Sequence, residues 1–299
     1  LINSVGIVGV GKLGSALLRV LSGKNLSIMA VTNNHNKTSK NIQKLSKDIK
    51  IIHSFSEIDC FPELLIITVQ DTKIHNLALE IAKLGKNRLS NTIIAHCSGF
   101  LPLSVLSGMN NISKGIAVIH PYQTFHTFSD DLFNDVGWIC STTNDIKTHI
   151  LSFIELLNGK VQFTDEINNF DNSKYHISAV FASNYLISAI SYAKSCAELS
   201  GINPADYLPK IINTSVINSF QNDSENNSIP LTGPIVRGDL IAVKSHLETL
   251  NNSTTELKGY VLNGLSATEI AYKEKIIDLI NYEKFKNLFL NELKLLYSL

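Results

Sequence analysis

The chain has 299 residues, 44% hydrophobic and 17% charged, the make-up of an ordinary globular protein with ample core and about two domains. Twenty-six basic residues balance twenty-six acidic ones, which argues against a polyanion-binding surface and so against nucleic acid as a partner. No apolar run approaches the roughly 20 residues that span a bilayer and no charged-then-apolar leader precedes the first apolar run, so a cytoplasmic protein with no membrane partner is expected, with a short N-terminal piece missing before Leu1.

In chain order, short β-branched runs alternate with amphipathic segments. Strands are predicted at 5–8, 27–32, 51–53, 64–69, 92–96, 115–119, 138–141 and 161–164. They are nearly continuous in apolar residues, as parallel strands buried on both faces are. Helices are predicted at 12–21, 74–84 and 145–157, the last after the capping residues Thr143 and Asn144 and ending at Asn158-Gly159. This alternation argues for a doubly wound α/β sheet.

The pattern changes near 165–172. Residues 174–199 form a long apolar run without a strand break, Gly201 stops it, and Asn203-Pro204 opens another helix. Residues 222–228 read as a polar linker and 235–299 as helical again. The expected organisation is an N-terminal doubly wound domain at 1–166 and an all-helical domain at 167–299. Cys60, Cys97, Cys140 and Cys196 lie too far apart for zinc spacing, so buried free thiols and no metal are expected.

Gly9-Val10-Gly11-Lys12-Leu13-Gly14 is a G-x-G-x-x-G that follows a strand and opens a helix. That context makes it a dinucleotide signature. Gly9 allows the tight turn, Gly11 lets backbone approach the pyrophosphate, and Gly14 lets helix pack on strand. The N–H groups of the helix start then face the phosphates. An acid normally follows the second strand to take the ribose hydroxyls. Here the segment reads Thr32-Asn33-Asn34-His35-Asn36-Lys37. Amides and a lysine suit a 2′-phosphate, which a carboxylate would repel, so NADPH is the expected cofactor. A plain solvated loop is the alternative for the Lys and His.

Ligands of such sheets lie beyond the carboxyl ends of the strands. The loops there are Val69-Gln70-Asp71, His96-Cys97-Ser98-Gly99 and His120-Pro121-Tyr122-Gln123-Thr124-Phe125. His120, at a strand end with Pro121 to fix the loop, is well placed for proton exchange. On "KYHISAVFASNYL", His176, Ser183 and Asn184 fall in one helical stripe, facing either ligand or other helices. Arg237, in "TGPIVRGD", is expected in the first turn of a helix, where the dipole disfavours it; an anion contact is one reading and a surface ion pair the other. Asp239 could orient it or cap the helix.

The motifs "GVGKLGSAL", "HCSGFLPLSVL", "HPYQTF", "KYHISAVFASNYL" and "GPIVRGDLIAVKSHLETL" span most of the chain. Together they resemble a family with an N-terminal Rossmann domain and a helical C-terminal domain once classed as of unknown function. That family is similar to the usual ketopantoate reductases, pyrroline-carboxylate reductases and prephenate dehydrogenases. One branch is an alternative ketopantoate reductase of bacteria lacking the usual enzyme, and the Asn/Ile/Lys-rich composition resembles it. The usual enzymes carry a Lys four residues before an Asn on the first helix of the second domain. This chain has Asn184, but Val180 stands where the lysine would be, so His176, His120 or Lys174 must take its place. Prephenate dehydrogenases carry a working His-Pro element that resembles His120-Pro121.

The resemblance implies NADPH-dependent reduction of a 2-oxo acid, most specifically 2-dehydropantoate to (R)-pantoate in pantothenate biosynthesis. His120 would donate the proton or polarise the oxygen, with His176 and Asn184 assisting. Ser98, Gln123, Ser183 and Asn184 would position the substrate, and Arg237, oriented by Asp239, would hold its carboxylate. Gly9 to Gly14, Asn33, Asn34, Lys37, Val69 and Ser98 would hold the cofactor. A homodimer through the helical domain is implied as well. The alternatives are another NAD(P)-dependent enzyme acting on an imine or a prephenate-like acid, and a non-catalytic dinucleotide sensor.

Overall fold

The structure is a computed structural model that describes residues 1–32, 37–126, 129–221 and 229–297. The chain packs as two units, Leu1–Ser183 and Asn184–Leu299. The first runs β1 (Ser4–Val8), α1 (Lys12–Ser22), β2 (Ser27–Val31), α2 (Lys37–Leu45), β3 (Lys50–Ile52), β4 (Leu64–Ile67), α3 (Asp71–Ala82) and α4 (Lys86–Leu89). It continues with β5 (Ile93–His96), β6 (Gly115–Pro121), β7 (Gly137–Thr142), α5 (Lys147–Leu156), β8 (Lys160–Phe163) and α6 (Asn172–Val180). All eight expected strands form, and they make one sheet in the order β3-β2-β1-β4-β5-β6-β7-β8.

The continuous apolar runs have a plain cause. Leu64 and Ile66 enter the core beneath α1 and α5, whereas Leu65 and Ile67 enter the core beneath α3. Alternate side chains of one strand are thus buried on opposite faces. The strand order reverses between β3 and β4, so the carboxyl ends of β1 and β4 flank the crevice where such sheets bind ligands.

Four local expectations are corrected. β7 runs antiparallel to β6, with His120 opposite Ile139. Among the described residues of the connection from 122 to 136 there is no helix, so the chain returns from the sheet edge it left, and a parallel partner would need a crossover. Thr143 does not cap α5 with its side chain. Its Oγ1 instead accepts a hydrogen bond from Ile116 N at 3.3 Å, and α5 begins at Lys147 after a short 3₁₀ turn. α3 starts at Asp71 rather than near 74, because its polar first turn carries an acid that suits the helix dipole but no apolar periodicity. Cys97 and Cys140 are buried, but Cys60 and Cys196 are exposed, Cys60 in a loop and Cys196 on a helix with no fully buried residue.

The second unit holds α7 (Leu186–Leu199), α8 (Pro204–Phe220), α9 (Leu240–Leu250), α10 (Thr254–Lys273) and α11 (Leu279–Tyr297). Its core is Val243, Leu247, Leu257, Val261, Phe285 and Phe289. Asn203 caps α8 as expected, its side-chain oxygen accepting from Ala205 N at 3.2 Å. The run expected to be helical from 235 is interrupted: residues 234–238 form a turn, Gly238 sits at φ +70°, and α9 starts only at Leu240. α7 buries no residue fully and α8 only Pro204, while Ile187, Tyr207, Ile211 and Phe220 are exposed. The linker at 222–228 lies outside the described residues. Among the described residues no helix is long and apolar enough to cross a membrane.

Candidate active site

The glycine loop leaves β1 with Gly9 at φ +94°, a conformation that favours glycine. A Cβ at Gly14 would lie 2.1 Å from Gly9 O and 2.7 Å from Thr68 Oγ1, so α1 presses directly on the strand ends. Thr68 Oγ1 donates to Gly9 O at 2.5 Å and locks that approach, and Val69 packs its side chain against Gly9. Val10 and Leu13 anchor the loop to the core while Lys12 stays exposed.

Gly11 is different. A Cβ there would meet nothing within 4 Å, and Gly11 is the N-cap of α1 without a side-chain cap or an acid in the first turn. The free N–H groups and positive end of α1 therefore face open space, as binding a pyrophosphate requires. A dinucleotide fits this loop. Asn33 and Asn34 lie outside the described residues, as does the side chain of Lys37, whose backbone opens α2.

His96 ends β5 and is fully buried. Its Nδ1 accepts from Ser98 N at 3.2 Å, so the ring proton sits on Nε2, which faces Pro102 O at 3.4 Å. Ser98 Oγ accepts from Phe100 N and Leu101 N at 3.2 and 3.0 Å. The loop is thus braced from both sides. Burial lowers the His96 pKa from 6.5 to about 4, with the Pro102 carbonyl and Asp71 opposing.

Because the folded value lies below the unfolded one, the stability held by the neutral ring is complete above pH 6.5 and is lost as pH falls toward 4. The loss is on the order of 3 kcal/mol. Urea unfolding of wild type and His96→Gln across that window is expected to show the shallower pH dependence in the variant. Equal slopes would refute the assignment.

His120 ends β6, and its Nδ1 lies 2.6 Å from the hydroxyl of Tyr175 on α6. The opposite edge of the ring faces Gly99, where a Cβ would stand 2.8 Å from both Cε1 and Nε2. Only glycine fits against this edge. Burial, reinforced by repulsion from His176, lowers the His120 pKa to about 4. The ring and Tyr175 line a cavity of about 560 Å³, bounded also by Ser98, Gly99, Val118 and Ile139. Val118 and His120 on β6 face the same side as their cross-strand partners Ser141 and Ile139 on β7, so one face of the β6–β7 pair floors the cavity.

α6 is held on the sheet by a short hydroxyl chain. Tyr122 O–H donates to Ser178 Oγ at 2.6 Å and Ser178 Oγ donates to Tyr175 O at 2.6 Å. Tyr122 and Tyr175 stack at 5.0 Å. These contacts place α6 with the first unit, later in the chain than the change of pattern at 165–172.

The other expected site residues are distributed as follows. Ser98 borders the cavity. Gln123 is exposed and folds back so that its side-chain oxygen accepts from Thr124 N at 2.8 Å; it does not line the cavity. His176 is exposed on α6. Lys174 pairs with Asp171 at 3.4 Å with 84% of its side chain exposed, which leaves it out of the cavity. Residues 181–185 form a π turn that distorts the stripe a regular helix would give, and Ser183 Oγ donates to Ala179 O at 2.7 Å. Asn184, in the same turn, is exposed and belongs to the second unit.

Arg237 lies in the turn before α9 rather than in the first turn of a helix, so the dipole argument does not apply to it. It is exposed, and among the described residues it has no ion pair. Asp239 is the N-cap of α9, accepting from Ala242 N at 3.0 Å. Among the described residues no cluster could hold a metal ion.

Sequence reasoning missed Tyr175. The available signal was a tyrosine among the aromatic residues Phe170 and Tyr122, since a buried phenol needs a partner for its hydroxyl.

Comparison with known proteins places this arrangement in a class. Residues 2–121 match the model of a Rossmann-like domain, and residues 143–266 match the domain of unknown function DUF2520. The chain thus carries a Rossmann-like domain followed by a DUF2520 domain, the combination anticipated from its motifs. A search of curated proteins finds no match.

Among solved structures, BF3122 from Bacteroides fragilis, which is named an NADP oxidoreductase, aligns at TM-score 0.70 and 18% identity over 90% of this chain and 98% of its own. TM1727 from Thermotoga maritima aligns at TM-score 0.59 and 20% identity over 91% and 99%. A pyrroline-5-carboxylate reductase from Coxiella burnetii aligns at 0.56 and 12% over 90% and 99%. At these identities the likeness is one of fold.

Proposed function

We propose that the protein is an NADPH-dependent reductase of a 2-oxo acid, with 2-dehydropantoate to (R)-pantoate as its specific reaction. The observation that carries the reading is the His120 ring at the carboxyl end of β6, lining a cavity, with Nδ1 held by Tyr175 and the Nε2 edge packed against Gly99 and without a hydrogen bond among the described residues. The uncapped, acid-free start of α1 supports dinucleotide binding. The fold neighbours support it too: BF3122 is named an NADP oxidoreductase, and a pyrroline carboxylate reductase from Plasmodium falciparum with NADP bound aligns at TM-score 0.52 and 15% identity over 96% of this chain and 99% of its own. The absence of any acid from Thr32 to Lys37 favours the 2′-phosphorylated form.

When bound, the nicotinamide supplies a hydride for the keto carbon. His120 Nε2–H hydrogen-bonds to the keto oxygen and polarises the carbonyl, favouring the build-up of negative charge on oxygen, and that oxygen takes its proton from solvent water to give the hydroxy acid. A neutral imidazole suits this task, because burial keeps the ring uncharged at physiological pH. Ser98 Oγ, whose lone pairs accept two backbone N–H groups, keeps its own proton to donate. A 2-oxo acid also requires a cation for its carboxylate, and Arg237, which has no ion pair among the described residues, is the guanidinium that the motif offers.

A panel of 2-dehydropantoate, other 2-oxo acids, a cyclic imine and prephenate, assayed with NADPH or with NADP⁺ in the oxidative direction, tests the reading. Turnover is expected with 2-dehydropantoate above the rest. Turnover of the imine or prephenate instead would replace the substrate class, and binding of NADPH without any turnover would favour a sensor.

A further inference from the structure

Tyr175 stands beside His176 in the motif "KYHISAVFASNYL", and its hydroxyl makes the closest polar contact to His120. We propose that Tyr175 is a positioning residue that donates its hydroxyl hydrogen bond to His120 Nδ1 and thereby fixes the ring proton on Nε2, the nitrogen on the edge away from Tyr175. The inference rests on the reading of His120 as the group that polarises the substrate oxygen.

A neutral imidazole carries one proton, and its location decides whether the cavity meets a donor or a lone pair. The 2.6 Å separation lies within the range of about 2.5–3.0 Å typical of hydroxyl donors and below the roughly 2.7–3.2 Å of N–H donors to oxygen. The chemistry agrees, since a phenol is the better donor of the two and an unprotonated imidazole nitrogen the better acceptor. Burial raises the Tyr175 pKa, so the phenol keeps its proton to give.

The phenol itself is held firmly. Its ring stacks on Tyr122, tilts against Phe170 at 5.6 Å and meets the His120 ring edge-on at 89°. Among the described residues no hydrogen bond reaches His120 Nε2. The unspent donor lies on the ring edge that Gly99 packs against, in a ring that lines the cavity together with Gly99.

The experiment is ¹⁵N NMR of the imidazoles in the full-length protein at neutral pH, with and without NADPH, on wild type, Tyr175→Phe and Tyr122→Phe. In wild type, His120 is expected to carry its proton on Nε2, with Nδ1 unprotonated and shifted by a hydrogen bond. Tyr175→Phe should abolish the Nδ1 shift and lower kcat about tenfold, the worth of one lost hydrogen bond, with KM within about twofold. Tyr122→Phe removes a hydroxyl from the same stack without touching His120, and should leave the His120 resonances in place.

A wild-type proton on Nδ1 overturns the proposal without recourse to any variant. So does a Tyr175→Phe protein with unchanged His120 resonances, or one with unchanged turnover while His120→Asn is impaired. If His120→Asn itself turns over normally, the reading of His120 has failed, and the tautomer measurement records that failure separately.

Discussion

Replacing His120 with Asn is expected to lower kcat by about 10²–10³-fold, the range for loss of one positioned hydrogen-bond donor to a developing oxyanion. NADPH affinity should stay near wild type, because the ring ends β6 whereas the phosphate cradle is built at the start of α1. The shorter amide cannot span from the β6 backbone to both Tyr175 and the place of the Nε2 edge against Gly99. The variant thus removes the donor and also leaves the Tyr175 hydroxyl without its partner. Steady-state kinetics with the oxo acid make the check, and a loss smaller than about tenfold would remove His120 from the chemistry.

The second large effect separates two glycines of one loop. Gly14→Ala places a Cβ against backbone, 2.1 Å from Gly9 O, so helix and strand must separate. The expected cost is about 3 kcal/mol of stability, together with loss of dinucleotide binding. Gly11→Val meets no protein atom within 4 Å and should unfold close to the wild-type temperature. Its side chain nonetheless fills the space before the uncapped α1 N–H groups. NADPH affinity should therefore fall by more than tenfold, about 1.4 kcal/mol. Thermal unfolding and fluorescence titration of both variants give the comparison. A Gly11→Val protein that binds NADPH as wild type does would show that the cradle lies elsewhere.

The sheet was legible because burial on both faces leaves a continuous apolar signature, as in Leu64–Ile67. Strand direction was not, since β7 pairs antiparallel with β6 while its apolar side chains read like those of the parallel strands. α2 was missed because a segment as polar as Lys37–Leu45 offers little beyond Ile42 and Leu45 to mark a buried face. Thr143 is chemically a good cap, yet its hydroxyl serves β6, a choice made by tertiary contact.

At the site, His120 stood out by its place at a strand end before Pro121, and the glycine loop by its strand–helix context. Tyr175 did not, because its partner is 55 residues away in sequence and a single contact leaves no periodic trace. The argument for Arg237 relied on a helix that Gly238 delays, so its support now comes from an exposed guanidinium lacking an ion pair among the described residues.

The most direct test is NADPH oxidation by the purified protein with 2-dehydropantoate, measured beside NADH and beside a reaction lacking the oxo acid, with the product identified. Rapid substrate-dependent oxidation that prefers NADPH and yields (R)-pantoate is the predicted result. Tight NADPH binding with no oxidation of the cofactor by 2-dehydropantoate or any other 2-oxo acid would contradict it.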